Sequence, residues 1–447
     1  MFGNKKIDMI NGPILSNMIM FAIPIMISDL LHMFYVAADT IVVGKFAGEI
    51  PLAAVGATSS LVFLFVALFE GLSLGVNVVV ARGIGEKDPD KVFRTVHTSG
   101  VICLVGGVLI TSMGVFLSKT FLHLMSTPDS IINYSAKYMR IYFAGIIFTL
   151  IFNFSAGVLR AHGETRKPMY YQILSGMLNI LFNLFFVLVL KMTVEGVALA
   201  TIIAQSIAAF LAVKTLINED SIIRLDLRKI AYYKEETMEI IKVGVPAGLQ
   251  GMAFSLTNLV VQSSLNSFDS SIIIAGNTAA NNIENFVYIG VTGFEAAVLT
   301  FVSQCLGARK FDRMMKIFWT GMALVVVSMG ILSLTVNVFS TPLLSLYTDN
   351  PAVIEAGKIR LFYVAGFLFL NGIIDVISNF MRAIGYSSIP AVLMLVGIIG
   401  VRVLWLLIVF PIYRTLSMVY ICFPISWFVT CVIDGIAMAY FYKKVKE

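Results

Sequence analysis

Apolar stretches of twenty or more residues follow one another down almost the whole chain, separated by short segments that hold most of its charge. The hydrocarbon core of a bilayer needs about 20 mostly apolar residues for each helix that crosses it. Backbone groups in lipid must be paired within their own segment, so runs of this length predict helices. A membrane barrel would instead show short segments alternating at every second residue, and these runs do not alternate. The pattern predicts twelve helices, at 14–43, 51–81, 95–118, 134–159, 169–190, 194–217, 240–267, 272–304, 317–340, 357–381, 389–411 and 418–441. Helices 1, 2, 7 and 8 exceed what a bilayer requires and are expected to tilt, bend or project. The first apolar run is long and lacks a small-residue cleavage site near its end, so it reads as the first membrane helix rather than a cleaved signal.

Composition agrees with a lipid environment. Of 447 residues, 58% are hydrophobic and 13% charged, against about 25% charged in a typical soluble chain. Too little polar surface exists to cover a globule of this size, and the fold class expected is an all-α membrane protein. The net charge of +6 would suit a nucleic-acid partner only if it were gathered on one soluble region. It is not. With the N-terminus placed in the cytoplasm and the helices alternating, the basic residues fall on the cytoplasmic side. They are Lys5 and Lys6; Arg82, Lys87, Lys91 and Arg94; Arg160, Arg166 and Lys167; the six from Lys214 to Lys242; the four from Arg309 to Lys316; Arg382; and three in the tail. These are 23 of the 32 Lys and Arg, so the charge is a topology signal. The chain is expected in the cytoplasmic (inner) membrane, with both termini in the cytoplasm, lipids around it, no nucleic acid bound, and as a monomer. Cys103, Cys305, Cys422 and Cys431 sit in or beside apolar runs and read as small packing residues rather than a disulfide framework.

An offset of 222 residues aligns the chain with itself. Pro24 meets Pro246, Gly71 meets Gly293, and Gly85 and Asp90 meet Gly307 and Asp312. LRAHGETRKP (159–168) meets MRAIGYSSIP (381–390), with Arg, Ala, Gly and Pro at the same spacing. Gly and Pro fix backbone geometry, so their coincidence at one offset points to two repeats. Six helices per repeat make the two halves parallel, related by an axis along the membrane normal, as in secondary transporters that rock two bundles about a central site. The lobes expected are 1–217 and 240–447, joined by a charged cytoplasmic linker, 218–239, with an amphipathic helical part.

Polar residues inside the predicted helices are the functional candidates, because each is costly in lipid unless it faces water or a partner. Asp39 lies about 25 residues into the chain's first helix, toward the outer leaflet at 1.5 Å per residue. Its alternative is a helix-end carboxylate solvated at the interface. Asp29, nearer the membrane centre, lines a cavity or caps a neighbouring helix. Asn153, Asn179, Asn183 and Thr201 lie in helices 4 to 6, and Asn179 and Asn183 share one helix face. Such a stripe beside a carboxylate suits a proton or Na⁺ site; equally, Asn residues bond helices together. Glu70, Glu284, Glu295, Asn371 and Asp375 complete the set of substrate-cavity candidates, unless they pair with Arg360 or Arg402. Asp375 falls opposite Asn153 under the 222 offset. His32 is the one deep histidine, with no evident partner.

Enzyme signatures are missing: there is no HExxH, GxxxxGK[ST] or GxSxG. Without a phosphate-binding loop, pumping must draw on an ion gradient or a partner ATPase.

NGPI (11–14), the helix-1 stretch through Tyr35 to DTIVVG (39–44), LAAVG (52–56), the loop residues 81–87 and the doubled RAxG…P together resemble the multidrug and toxic compound extrusion (MATE) family over essentially the whole chain. The resemblance is closer to the DinF-like and MepA-like branches than to the NorM type. It implies two six-helix lobes in a V-shaped bundle, and export of small organic cations in exchange for H⁺ or Na⁺, with no other cofactor. It also implies a coupling site at Asp39 with Asn153, Asn179, Asn183 and Thr201, any Na⁺ lying against Asp39, Asn179 and Asn183. Two departures stand out. Asn183 occupies a position where the family often carries a second Asp. Phe254 stands where the NorM type has an acid in helix 7, and that branch's helix-10 Asp matches Asn371, with Asp375 one turn beyond, so the resemblance is closer to branches that couple through the N-lobe and leaves a C-lobe coupling site open. The rivals are a lipid-linked oligosaccharide flippase of the same superfamily, which needs a basic cavity, and an intramembrane transferase, which needs an Asp-rich motif or catalytic His.

Overall fold

The computed structural model describes residues 7–125 and 127–446, without the side chains of Ser60, Phe254, Ser255, Leu256 and Leu259. Lys5 and Lys6, counted above among the cytoplasmic charges, lie outside the described residues. Every regular element among the described residues is helical. Eleven helices are long and apolar enough to cross a membrane: α1 (Ile14–Ala47), α2 (Glu49–Glu86), α3 (Pro89–Leu124), α4 (Asp129–Ala161), α5 (Arg166–Val189), α6 (Val194–Ile217), α8 (Ser271–Gly307), α9 (Phe311–Val338), α10 (Pro351–Ala383), α11 (Ser388–Val409) and α12 (Leu416–Lys446). The twelfth, α7 (Lys234–Asn266), has 33 residues; its charged first turns and Gln250, Asn258 and Gln262 dilute its apolar run. The twelve-helix expectation is met.

Several helices begin earlier than the apolar pattern predicts. α3 starts at Pro89 rather than 95, because Asp88 caps it by accepting the Lys91 amide and Pro89 fills the first turn, where no backbone donor is needed. α10 starts at Pro351 rather than 357 for the same reason, with Asn350 as the cap. α7 likewise begins at Lys234 rather than 240, inside the segment read as a linker with a helical part. Polar turns read as loops belong to the helices. At 38 residues, α2 spans roughly 57 Å at 1.5 Å per residue, well beyond a hydrocarbon core of about 30 Å.

The chain divides into two compact units. Ile27–Gly248 forms the first; Asp8–Met26 joins the chain from Leu249 onward to form the second. The division falls inside α1 and inside α7, shortly after Pro24 and Pro246, and so obeys the 222-residue offset. Lobes cut at 1–217 and 240–447 differ from these units by two exchanged helix beginnings.

Within the first unit, α4 packs against α2, α3 and α6, and α5 against α6. The beginning of α7 lies on α2 through glycines. A Cβ on Gly71 would collide with the Gly248 nitrogen, and one on Gly75 would meet the Ile240 carbonyl at 2.5 Å. Both helices carry a glycine every fourth residue here, Gly71 and Gly75 against Gly244 and Gly248, which lets backbones touch in lipid where no hydrophobic force draws helices together. In the second unit α10 takes the central place, against α8, α9 and α12. There the first half of α1 lies on α8, and a Cβ on Gly293 would collide with the Ala22 carbonyl. Gly293 and Ala22 are the offset equivalents of Gly71 and Gly244, so the repeat extends to the closest packing contacts.

Candidate functional site

Asp39 lies in the last full turns of α1, half-buried, inside the first unit. Three helices bring polar groups to it. Asn183 of α5 donates its side-chain amide to one carboxylate oxygen. Thr201 of α6 sets its hydroxyl 3.5 Å from the other. Asn183 also donates to Asn179 Oδ1 at 3.2 Å, and Asn179 donates to Thr201 Oγ1 at 3.2 Å. These bonds close a ring through Asp39, Asn183, Asn179 and Thr201. Asn179 and Asn183 are buried, one helical turn apart on the face that α5 turns to α6. α1 and α5 each widen into a π turn just past the site, at Val43–Ala47 and Phe185–Val189, an irregularity frequent at functional positions.

One acceptor in the ring is left over. Asn183 Oδ1 is buried and has no hydrogen-bond partner among the described residues. A buried acceptor without a donor costs about 1–3 kcal/mol. The site therefore presents oxygens of Asp39, Asn179, Asn183 and Thr201 with fewer donors than they can accept, the chemistry that suits a proton or a hard monovalent cation.

Asn153 of α4 is not in this ring. Its side chain is half-buried, and its backbone carbonyl accepts from Ser73 of α2 at 2.7 Å. The family resemblance implies four residues in one set with Asp39; the structure gathers three of them into its ring.

A second network continues one turn earlier on α1. Tyr35 is buried, and its hydroxyl lies 2.6 Å from His32 Nδ1. Gln205 of α6 donates to the Tyr35 oxygen at 3.4 Å, and Gln172 of α5 approaches His32 Nδ1 at 3.4 Å. His32, read from sequence as lacking a partner, has two. The spacing His32, Tyr35, Asp39 puts three polar groups on one face of α1 and is the signal that could have found them.

Asp29, Glu70 and Arg160 act on one another electrostatically in the same unit, apart from the Asp39 ring.

The candidates of the second unit separate into two groups. Glu284 of α8 is held by Arg360 of α10 through two hydrogen bonds of 2.8 and 2.7 Å, both side chains buried. Asn277, Asn281 and Tyr420 complete that cluster. The other group gathers around α10. Asp375 accepts from Tyr288 at 3.1 Å and from Asn371 at 3.0 Å, and Glu295 accepts from Asn379 at 3.1 Å. Phe254, read as the departure from the NorM type in α7, has its side chain outside the described residues. Arg402 is fully buried, bonded to Ser426 at 2.9 Å and stacked 4.1 Å from the Phe423 ring.

The residues of the Asp39 ring are not repeated at the matching positions of the second unit. Under the 222 offset Asp39, Asn179, Asn183 and Thr201 fall on Val261, Val401, Trp405 and Phe423.

The sequence profile of the family described as MatE matches residues 24–185 and again 246–408. The two matches begin at Pro24 and Pro246, the offset read from the sequence. A probable multidrug resistance protein of Bacillus subtilis, YoeA, is 28% identical over 401 residues, covering 87% of this chain and 85% of that protein. A second protein of the same organism, the probable multidrug resistance protein YpnP, is 26% identical over 85% of each. Among solved structures, an outward-facing multidrug resistance MATE family transporter of the MOP superfamily superposes with a TM-score of 0.91 over 100% of both chains, at 21% identity.

Proposed function

Because the chain belongs to the multidrug and toxic compound extrusion (MATE) family, we propose that it is a secondary active antiporter that exports small organic cations in exchange for H⁺ or Na⁺. Transport, not covalent chemistry, is its activity. The observation that carries the coupling half of this reading is the Asp39 ring, with its buried leftover acceptor on Asn183. The names of YoeA and YpnP support the multidrug half.

The ring offers a physical route from ion binding to movement. As a carboxylate, Asp39 only accepts, and it holds Asn183 of α5 and Thr201 of α6 toward α1. A proton on Asp39 turns one oxygen into a donor, which fits the vacant Asn183 oxygen only if the amide turns. Na⁺ would draw the amide oxygens of Asn179 and Asn183 inward instead. Either event changes how α1 sits against α5 and α6. Coupling follows only if ion and substrate favour different states, since a ligand that binds both equally shifts nothing.

The deciding experiment is transport of ethidium-like cations in proteoliposomes under separately imposed pH and Na⁺ gradients. Uphill movement under one of them supports antiport and names the ion; movement under neither would sink it. The flippase alternative calls for unpaired basic side chains facing a pyrophosphate. It loses ground because the guanidinium of Arg360 is taken up by the Glu284 carboxylate.

A further inference from the structure

The second unit holds a group of charges that its hydrogen bonds leave unbalanced. α10 contributes Asp375 and Arg382, α8 contributes Glu295 and Tyr288, and α12 contributes Asp434 and Cys431. Asp434 has no exposed surface, and neither of its oxygens has a hydrogen-bond partner among the described residues. The charged groups that act on it are Asp375 and Arg382, and it acts in turn on Cys431, whose Sγ donates to the Leu370 carbonyl at 3.2 Å. Arg382, the guanidinium of the group, points its terminal nitrogens elsewhere. One donates to Asn379 Oδ1 at 2.9 Å and the other to Gln250 Oε1 of α7 at 2.5 Å. Asp375 and Glu295 take their donors from Tyr288, Asn371 and Asn379.

Three carboxylates thus stand against one guanidinium, in the interior of a membrane unit. Burying a charge without a partner costs several kcal/mol, so a cation must accompany the group. A hard metal ion takes about six oxygen ligands, and Asp434 has no oxygen or nitrogen partner to share one. A proton needs a single oxygen and no further ligand.

We propose that Asp434 is a proton-carrying residue of this protein, set between α10 and α12 and answering to Arg382. The inference deepens the antiport reading and rests on it for its role in transport, whereas its proton binding is testable without transport. Asp434 has no counterpart in the first unit, where the offset places Ala212. Its consequence is mechanical. When Asp434 loses its proton, the new charge competes with Gln250 and Asn379 for the Arg382 guanidinium. Gln250 lies just inside the second unit's share of α7, so a proton event on α12 reaches the helix that runs through both units.

The test is pH-difference infrared spectroscopy on the purified full chain in an Asp39→Asn background. A titrating carboxylic-acid carbonyl band is expected, lost on adding Asp434→Asn and moved to a new frequency by Asp434→Glu. A band untouched by both substitutions would overturn the assignment. Should Asp434→Asn fail to accumulate, Asp434→Glu alone decides, since the band must then move. In proteoliposomes of the otherwise unaltered protein, Asp434→Asn should lower the number of protons exchanged per substrate. Absence of any gradient-driven transport in the unaltered protein would count against antiport and leave the infrared result standing.

Discussion

Asn183 of α5 donates its side-chain amide to the carboxylate of Asp39 in α1, joining two residues 144 positions apart in the chain. The bond ties a helix end that carries a charge to the helix face that neutralises its cost. It also makes the two side chains separable by mutation.

Asp39→Asn keeps the size of the side chain and removes its charge. Gradient-driven efflux from proteoliposomes should fall to background, with folding retained as judged by elution and thermal unfolding. Full efflux in this variant would remove Asp39 from the mechanism.

Asn183→Leu removes a hydrogen bond to a charged group, an interaction of about 1.5–3 kcal/mol. The affinity for the coupling ion should change by roughly tenfold to a hundredfold on that scale. Asn153→Ala, outside the ring, should change it far less. The comparison is read by varying the driving ion in the transport assay; equal effects from the two would contradict the geometry.

Gly71→Val should destabilise the contact between α2 and α7. Its Cβ meets backbone of Gly248 and Gly244, which cannot rotate away. Overpacking costs about 1–3 kcal/mol, visible as a lower unfolding temperature in detergent. Gly56→Ala on the same helix adds a Cβ with nothing within 4 Å and serves as the neutral control.

Arg360→Met leaves Glu284 buried beside no cation and should destabilise by about 3–5 kcal/mol, whereas combining it with Glu284→Leu should recover much of the loss. Thermal unfolding of the two singles and the double measures the coupling. Additive losses would show that the ion pair contributes nothing of its own.

The charge distribution predicts which ends of the helices face the cytoplasm. Cysteines introduced at Arg228 and at Asp349, both exposed, should label from opposite sides of the membrane, Arg228→Cys from the cytoplasm. Labelling of both from one side would overturn the alternation.

Much of the architecture is legible in the chain alone. Lipid imposes a minimum apolar length on each helix and forbids unpaired backbone, so the hydropathy pattern gives twelve helices. The repeat is readable because Pro24, Pro246, Gly71 and Gly293 constrain backbone, and backbone constraints are kept where side chains drift. Asp39 stands out because a carboxylate in an apolar run has few innocent explanations, and one-turn spacing puts Asn179 and Asn183 together.

Other features depend on contacts between distant segments, which periodicity does not encode. Asn153 has the right residue type on the right helix, yet the bond recorded there is from Ser73 to its backbone carbonyl and not from its side chain to the Asp39 ring. His32 gains Tyr35 and Gln172 only once α1 lies against α5. Helix beginnings at Pro89 and Pro351 are a local matter instead: hydropathy misses these polar first turns, and the caps Asp88 and Asn350 set them. The exchange of the first turns of α1 and α7 between units, and the electrostatic pull of Arg382 on Asp434, arise from which helix faces touch. Solvent sets the length, number and symmetry of the helices through each segment's own composition. Packing sets which polar groups meet, because that depends on the rotation and depth of whole helices against one another.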